Sequence, residues 1–328
     1  MSYWTGKSVL VTGAGGFIGS HLAERLAAEG ARVRAFVRYS STGDRGWFET
    51  DAAAESIAFH YGDICDADSV MTAARDVEVI FHLAALIAIP YSYEAPRAYV
   101  RTNIEGTLNV LQAARALGDV RLVCTSTSEV YGSALRAPID EDHPLQGQSP
   151  YSASKIGADK IAESFHRSFN TPVVICRPFN TFGPRQSTRA VIPSIITQLL
   201  KGPDVQLGAL TPTRDLNYVS NTVDGFLACG EHDSALGGVF NFGSNREISI
   251  FDLAHLIAEL MGVRINLRGV DERLRPEKSE VTRLLADNRL AAETFGWSPA
   301  VSLEEGLGLT ITWLTKNLSR YRVGEYVK

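Results

Sequence analysis

The chain has 328 residues, of which 45% are hydrophobic and 21% charged, with a formal net charge of -5. That length and apolar content suffice for a substantial core, in two domains or one large one. The acidic balance, with no basic block or stripe, argues against nucleic acid and anionic membrane as partners. No apolar run approaches membrane-spanning length and no charged-then-apolar leader pattern opens the chain, so a cytoplasmic protein is expected. Cys65, Cys124, Cys176 and Cys229 are widely spaced with no C-x-x-C, and read as small core hydrophobes in a reducing compartment. None of the seven histidines pairs with another at ligand spacing, so no metal site is expected.

The first element is a buried strand, Ser8-Val9-Leu10-Val11-Thr12, which runs into Gly13-Ala14-Gly15-Gly16-Phe17-Ile18-Gly19. A helix over Ser20 to Gly30 follows, with Leu22, Ala23 and Leu26 inward. Strand, glycine turn and helix together aim backbone N–H groups and the positive helix end at a pyrophosphate. Gly13 and Gly16 let the backbone turn and approach the phosphates, and Gly19 lets the helix pack on the strand. The spacing is G-x-x-G-x-x-G rather than G-x-G-x-x-G, and the context points to a dinucleotide. The second strand, Arg32 to Val37, ends without the Asp or Glu that would hold a ribose 2'-hydroxyl. Arg38, close to Ser40 and Ser41, suits a 2'-phosphate instead, so NADP is favoured over NAD. Asp63, after a third strand over 57–61, is placed either to contact the adenine or to cap the strand end.

Further strands are expected over 77–82, 120–125 and 172–176, and long helices over Asn103–Leu117 and Tyr151–Phe169. This alternation requires crossover connections, hence an α/β fold with a doubly wound parallel sheet covered on both sides. Thr125-Ser126-Thr127-Ser128-Glu129-Val130-Tyr131-Gly132 follows the fifth strand, and Tyr151 and Lys155 share one helical face. An adjacent ammonium lowers a phenol pKa, letting the tyrosine exchange a proton with a substrate hydroxyl near neutral pH. Thr127 supplies a third hydrogen-bonding group. Oxidising an alcohol needs nothing more, so Glu129 points to chemistry that continues past the oxidation. After Arg177-Pro178 the alternation breaks down. Short segments at Val205-Gln206-Leu207 and Arg264-Ile265-Asn266-Leu267 suggest a smaller substrate lobe, while Val239-Phe240-Asn241 and a helix from Val219 return to the sheet. The expected division is a dinucleotide-binding domain over 1–177, with returning segments near 216–243, and an interleaved substrate lobe mainly over 178–215 and 244–328.

Thr12-Gly13, His82-Leu83-Ala84-Ala85, the Tyr151/Lys155 pair and Phe295-Gly296-Trp297-Ser298-Pro299 resemble, over nearly the whole chain, the extended short-chain dehydrogenase/reductase family, specifically its nucleotide-sugar 4,6-dehydratases. The segments 86–93, 144–150 and 275–281 look most like configuration-retaining UDP-N-acetylglucosamine 4,6-dehydratases of the bacterial legionaminic acid pathway. The resemblance implies a Rossmann-like fold, a nucleotide-sugar substrate, and a homodimer formed through the two long helices. It also implies a tightly bound nicotinamide cofactor, regenerated at each turnover and contacted by Gly13, Gly16, Phe17, Ile18, Gly19, Arg38, Asp63, Ile64, Leu83, Ala84, Ala85, Tyr151 and Lys155.

In the chemistry so implied, Tyr151, assisted by Lys155 and Thr127, takes the proton of the sugar C4 hydroxyl as the C4 hydride leaves. Glu129 then removes the C5 proton, and the C6 hydroxyl departs as water with a proton from Ser128, Glu129 or a bound water. Related dehydratases often carry Thr-Asp-Glu where this chain has Thr127-Ser128-Glu129. A serine is a poor acid at neutral pH, so Glu129 is expected to handle both protons. Asn180, Arg214 and Arg275 match the family's pyrophosphate-binding positions, where the arginine fork suits phosphate oxygens. Arg185 and Arg189 are further candidates for the sugar nucleotide, and Tyr91 and Tyr93 for the sugar pocket. A UDP-glucuronate decarboxylase shares the Thr-Ser-Glu segment, and a 4-epimerase would use the Tyr/Lys pair and leave Glu129 without a task. A nicotinamide-dependent sensor or scaffold would need none of this acid/base set.

Overall fold

The short apolar runs over 8–12, 79–82, 121–125 and 173–178 become strands buried on both faces, because crossover helices cover the sheet above and below. A computed structural model describes residues 2–50, 56–274 and 276–321. In chain order the elements are β1 (Ser8–Thr12), α1 (Phe17–Ala28), β2 (Arg32–Arg38), β3 (Ala58–Gly62), α2 (Ala67–Ala74), β4 (Val79–His82), α3 (Ile89–Glu94), α4 (Pro96–Tyr99), α5 (Gly106–Leu117), β5 (Arg121–Thr125), α6 (Pro150–Phe169) and β6 (Val173–Pro178). They continue with β7 (Asn180–Phe182), α7 (Val191–Leu199), β8 (Asp204–Leu207), β9 (Thr213–Tyr218), α8 (Val219–Glu231), β10 (Val239–Phe242), β11 (Glu247–Ser249), α9 (Ile250–Met261), β12 (Asn266–Gly269), α10 (Arg289–Phe295) and α11 (Leu303–Lys316).

The main sheet has seven strands in the order β10-β6-β5-β4-β1-β2-β3, and every pairing is parallel. Side chains alternate along each strand, so β1 sends Val9 and Val11 to one core, with Leu22 and Leu26 of α1 and Phe226 of α8. Leu10 goes to the other, with Leu111 of α5 and Phe165 of α6. Each fully buried side chain of this size contributes roughly 1.5–3 kcal/mol. The strand order reverses between β1 and β4, and at such a switch the carboxyl ends of the strands diverge and leave a crevice. A three-stranded sheet, β11-β9-β7, and a two-stranded one, β12-β8, form the smaller lobe with α7, α9 and α11. Among the described residues no helix is long and apolar enough to cross a membrane.

Two helices differ from expectation at their starts. The first begins at Phe17, inside the glycine turn, rather than at Ser20. The helix expected from Asn103 begins earlier, as a π-helical stretch over Val100–Glu105 that passes into α5. The wider turn sets Asn103 where its amide bonds both the Leu86 backbone (N–H to Oδ1, 2.8 Å; Nδ2 to O, 3.0 Å) and the Ser154 hydroxyl (2.9 Å). Such bulges recur where a side chain must reach a site. Gly157 of α6 faces the same stretch, where an added Cβ would lie 2.8 Å from Ile104 Cδ1.

His82, at the end of β4, fastens the crevice. Its Nδ1 is 2.8 Å from Thr12 Oγ1 and its Nε2 is 3.0 Å from Thr107 Oγ1. Thr12 Oγ1 already accepts the N–H groups of Leu83 and Ala84, and the Thr107 hydroxyl donates to Asn103 O. The network therefore assigns a neutral ring with its proton on Nε2, Thr12 donating to Nδ1. Burial, with a smaller contribution from the Lys155 charge, lowers the His82 pKa from 6.5 to about 3. The unfolded chain thus binds a proton here that the folded one refuses. Stability is fully present above about pH 6.5 and is lost as pH falls toward 3, at about 1.4 kcal/mol per pH unit. Urea unfolding across that window should show His82→Gln with lower stability at neutral pH but a shallower acid loss, by about one proton; equal slopes would remove His82 from the account.

Candidate active site

Glycine is obligatory at two points of the turn after β1. Gly13 has φ +69°, and a Cβ there would lie 2.8 Å from the Ala84 nitrogen, so the turn packs backbone to backbone on the loop leaving β4. A Cβ at Gly19 would lie 2.3 Å from Gly13 O, which closes α1 onto β1. At Gly16 an added Cβ would meet only Gly13 O, at 3.2 Å. Gly16 is the N-cap of α1, with no side-chain cap and no acid in the first turn. An open space beside uncapped helix N–H groups fits a dinucleotide pyrophosphate. Phe17 and Ile18 open the helix and pack against the core that holds Leu22 and Leu26, and Ile64 is buried in the other. The Leu83 and Ala84 amides both donate to Thr12 Oγ1, so the loop leaving β4, which runs on to Ala85, does not offer those two donors to a ligand. Arg38 is exposed at the end of β2, and its side chain makes no hydrogen bond or ion pair among the described residues. Asp63 caps the end of β3: its Oδ1 accepts the Cys65 N–H at 2.9 Å.

The acid/base group is built on the start of α6. Ser149 and Ser152 form a capping box with Pro150 in the first turn, so Tyr151 sits at the positive end of a long helix, which favours a negative oxygen. Thr127 caps a 3-10 turn over Ser128–Tyr131: its Oγ1 accepts the Glu129 N–H at 3.2 Å, leaving its own proton for the Tyr151 phenol, with which it is hydrogen-bonded. Ser128 is buried and Glu129 half-buried. Tyr151 packs edge-on against Tyr99, ring centroids 6.2 Å apart.

The electrostatics differ from the expectation that Lys155 lowers the phenol pKa. Burial pushes the Tyr151 phenol well above its ordinary value; the Thr127 hydrogen bond pulls it down, and the charge on Glu129 pushes it up again. Lys155 donates to Thr125 O at 2.6 Å, and burial holds its ammonium below the usual range, opposed by the charge on Asp159. Desolvation outweighs attraction because both groups are more than nine-tenths buried.

A buried network behind this group escaped sequence reasoning. Asp159, one turn beyond Lys155, accepts from Ser126 Oγ (2.7 Å) and from Arg177 Nε and Nη2 (3.2 and 3.1 Å). Arg177 Nη1 donates to the Tyr131 hydroxyl (2.9 Å), which donates to Asn241 Oδ1 (2.8 Å). The only signals were a charged residue inside the apolar run Val173–Pro178 and an aspartate in step with Tyr151 and Lys155.

On the substrate side the expected residues divide. Asn180 Oδ1 is buried without a hydrogen-bond partner among the described residues, as suits a group that meets a ligand. Burial pushes the Tyr99 phenol up to about 12 and the Arg189 charge pulls it back, which places Arg189 beside the tyrosine cluster. Arg214 is buried, with Nη1 on Thr213 O at 2.9 Å and Nη2 on Glu280 at 3.2 Å. Arg185 is turned to Glu24 of α1 at 2.8 Å, and so braces the cofactor-binding helix rather than joining Arg189. Arg275 lies outside the described residues. Tyr91 is exposed and packs on Tyr99, whereas Tyr93 bonds Ser279 across 2.6 Å. Gln148 Nε2 reaches Lys278 O at 3.4 Å, so the segments 86–93, 144–150 and 276–281 meet around Tyr151. Among the described residues no cluster suits a metal ion.

A parallel sheet with a glycine turn at its switch point, and a Tyr/Lys/Thr group over its carboxyl edge, define a nicotinamide-dependent short-chain dehydrogenase/reductase. The chain matches the GDP-mannose 4,6 dehydratase family over residues 10–310, and it belongs to that family of nucleotide-sugar enzymes. It is 34% identical over 316 residues to the dTDP-glucose 4,6-dehydratase of Streptomyces griseus, covering 95% of each chain. It is 31% identical to UDP-glucuronic acid decarboxylase 1 of Xenopus tropicalis, covering 98% of this chain and 75% of the relative. Among solved structures, the dTDP-glucose 4,6-dehydratase DesIV from Streptomyces venezuelae, with NAD and TYD bound, superposes with a TM-score of 0.88 at 30% identity, covering 96% of this chain and 99% of that one.

Proposed function

We propose that the protein converts UDP-N-acetylglucosamine to its 4-keto-6-deoxy derivative with retention at C5. The observation that carries this reading is the pairing of Tyr151 with Glu129: the carboxylate lies near enough for its charge to act on the phenol. A simple alcohol oxidation, or an epimerisation that only rotates a ketone, has no use for a second base. A bound nicotinamide supplies the hydride acceptor and donor that keep the overall reaction redox-neutral. Tyr151 reacts as the phenolate, its charge met by the Thr127 proton, the α6 N-terminus and the Lys155 ammonium, and it becomes the neutral phenol on taking the proton of the C4 hydroxyl. The C4 ketone acidifies C5–H, which Glu129 removes. Ser128 donates a hydrogen bond to the departing C6 hydroxyl, and Glu129 returns the proton that makes it water. The choice of sugar rests on the three segments that resemble the UDP-N-acetylglucosamine enzymes and meet around Tyr151. Asn180, Arg189, Arg214 and Arg275 are assigned to the nucleotide diphosphate and sugar.

Glu129→Gln should therefore retain C4 oxidation and lose C5 exchange. Incubated with UDP-N-acetylglucosamine in deuterated water, it should accumulate reduced nicotinamide and incorporate deuterium at C5 about a hundredfold to ten-thousandfold more slowly than the parent. Incorporation at the parental rate would reject Glu129 as the base. Loss of carbon dioxide from UDP-glucuronate, with no reaction of the acetylated sugar, would favour a decarboxylase.

The same reading takes NADP as cofactor, through Arg38 where Val37 replaces the usual acid, and a homodimer through α5 and α6, whose ends leave Leu117 and Phe169 exposed. Native mass spectrometry should give a dimer carrying two NADP, and Arg38→Ala should weaken NADP more than NAD by about 1.5–3 kcal/mol. Bound NAD, equal losses for the two cofactors, or a monomer would each reject the corresponding part.

A further inference from the structure

A second layer lies behind the glycine turn. The segment after β2 folds back on it so closely that a Cβ at Gly15 would lie 2.9 Å from Arg45 O, and one at Gly46, where φ is +68°, would lie 2.1 Å from Gly15 O. The Trp47 N–H donates to Gly15 O at 3.2 Å, and the Asp44 carboxylate accepts the Gly46 N–H at 2.5 Å. One flank of this segment is anchored on β3: Arg45 stacks 4.6 Å from the Phe59 ring centroid and donates to the Tyr61 hydroxyl at 3.0 Å. The other is anchored at the far end of the chain. Trp47 meets Trp313 of α11 edge-on at 5.4 Å and Tyr321 at 5.9 Å, Trp313 and Tyr321 meet at 6.0 Å, and the Arg320 guanidinium lies 4.3 Å over the Trp47 ring. The Tyr321 hydroxyl is buried without a hydrogen-bond partner among the described residues, and its ring is held there by packing.

We propose that Trp47, Trp313 and Tyr321 are positioning residues for the nicotinamide dinucleotide. They fix the carbonyl of Gly15, and with it the amides of the turn, so that the pyrophosphate site is preformed and the cofactor leaves slowly. An enzyme that regenerates its cofactor within each turnover gains from slow release, whereas one that exchanges cofactor does not. The inference needs only the family's nicotinamide cofactor and not the proposed sugar.

The full-length enzyme loaded with NADP, and separately with NAD, would be diluted rapidly and the retained cofactor weighed after denaturation. Trp313→Leu keeps the apolar bulk of α11 and removes the aromatic edge; it should lose cofactor about tenfold faster than the parent. Arg320→Ala, which uncovers the Trp47 ring, should be about threefold faster. Tyr321→Phe keeps the ring and removes only the hydroxyl, and should retain cofactor like the parent. Phe165→Ala, in the core on the other face of the sheet, serves as a destabilised control. Parental release from both Trp313→Leu and Arg320→Ala overturns the proposal, as does release from the control accelerated as much as from Trp313→Leu.

Discussion

Docking the first turns of α6 across the carboxyl ends of β5 and β6 is the constraint on which the site depends. Lys155 Nζ reaches the last carbonyl of β5, and Asp159 holds both Ser126 and Arg177. These contacts fix Tyr151 at the mouth of the crevice, but they take it out of water, which raises the phenol pKa. The Thr127 hydroxyl pulls it back down and the helix N-terminus favours a charged oxygen, and both act most strongly when the phenol carries charge. Electrostatics of this kind favours the reacting state over the resting one.

The buried Asp159–Arg177 pair ties α6 to the main sheet. Through Tyr131 and Asn241 it runs from the catalytic helix to β10, and Asn241 in turn donates to Ile139 O at 3.0 Å. Both partners are about 95% buried, a setting in which removing one side of a pair costs about 3–5 kcal/mol while replacing both with apolar groups costs far less. Its value is therefore geometric. Through Tyr131 it ties the turn that carries Thr127 and Glu129 to α6.

The sheet was legible in the sequence because β1, β4, β5 and β6 are apolar runs punctuated by glycine or by helix caps, and the glycine turn announces its own conformation. The smaller lobe was less so. Strands β7 and β11 have three residues each, and β9 buries Arg214, Asp215 and Asn217, so neither periodicity nor hydrophobicity marks them. Single charges were least legible of all: Arg185 and Arg189 look alike in sequence, yet one pairs with Glu24 of α1 and the other lies by Tyr99. Only the fold brings their partners from distant parts of the chain. The expected lowering of the Tyr151 pKa failed for a related reason, since i,i+4 spacing reports proximity and not desolvation.

The central claim is that C4 oxidation and C6 reduction occur within one bound sugar. UDP-N-acetylglucosamine deuterated at C4 tests it most directly. The account predicts that the label appears at C6 of a 4-keto-6-deoxy product with no net formation of reduced cofactor. Label recovered in released reduced nicotinamide, in step with oxidised sugar, would contradict it.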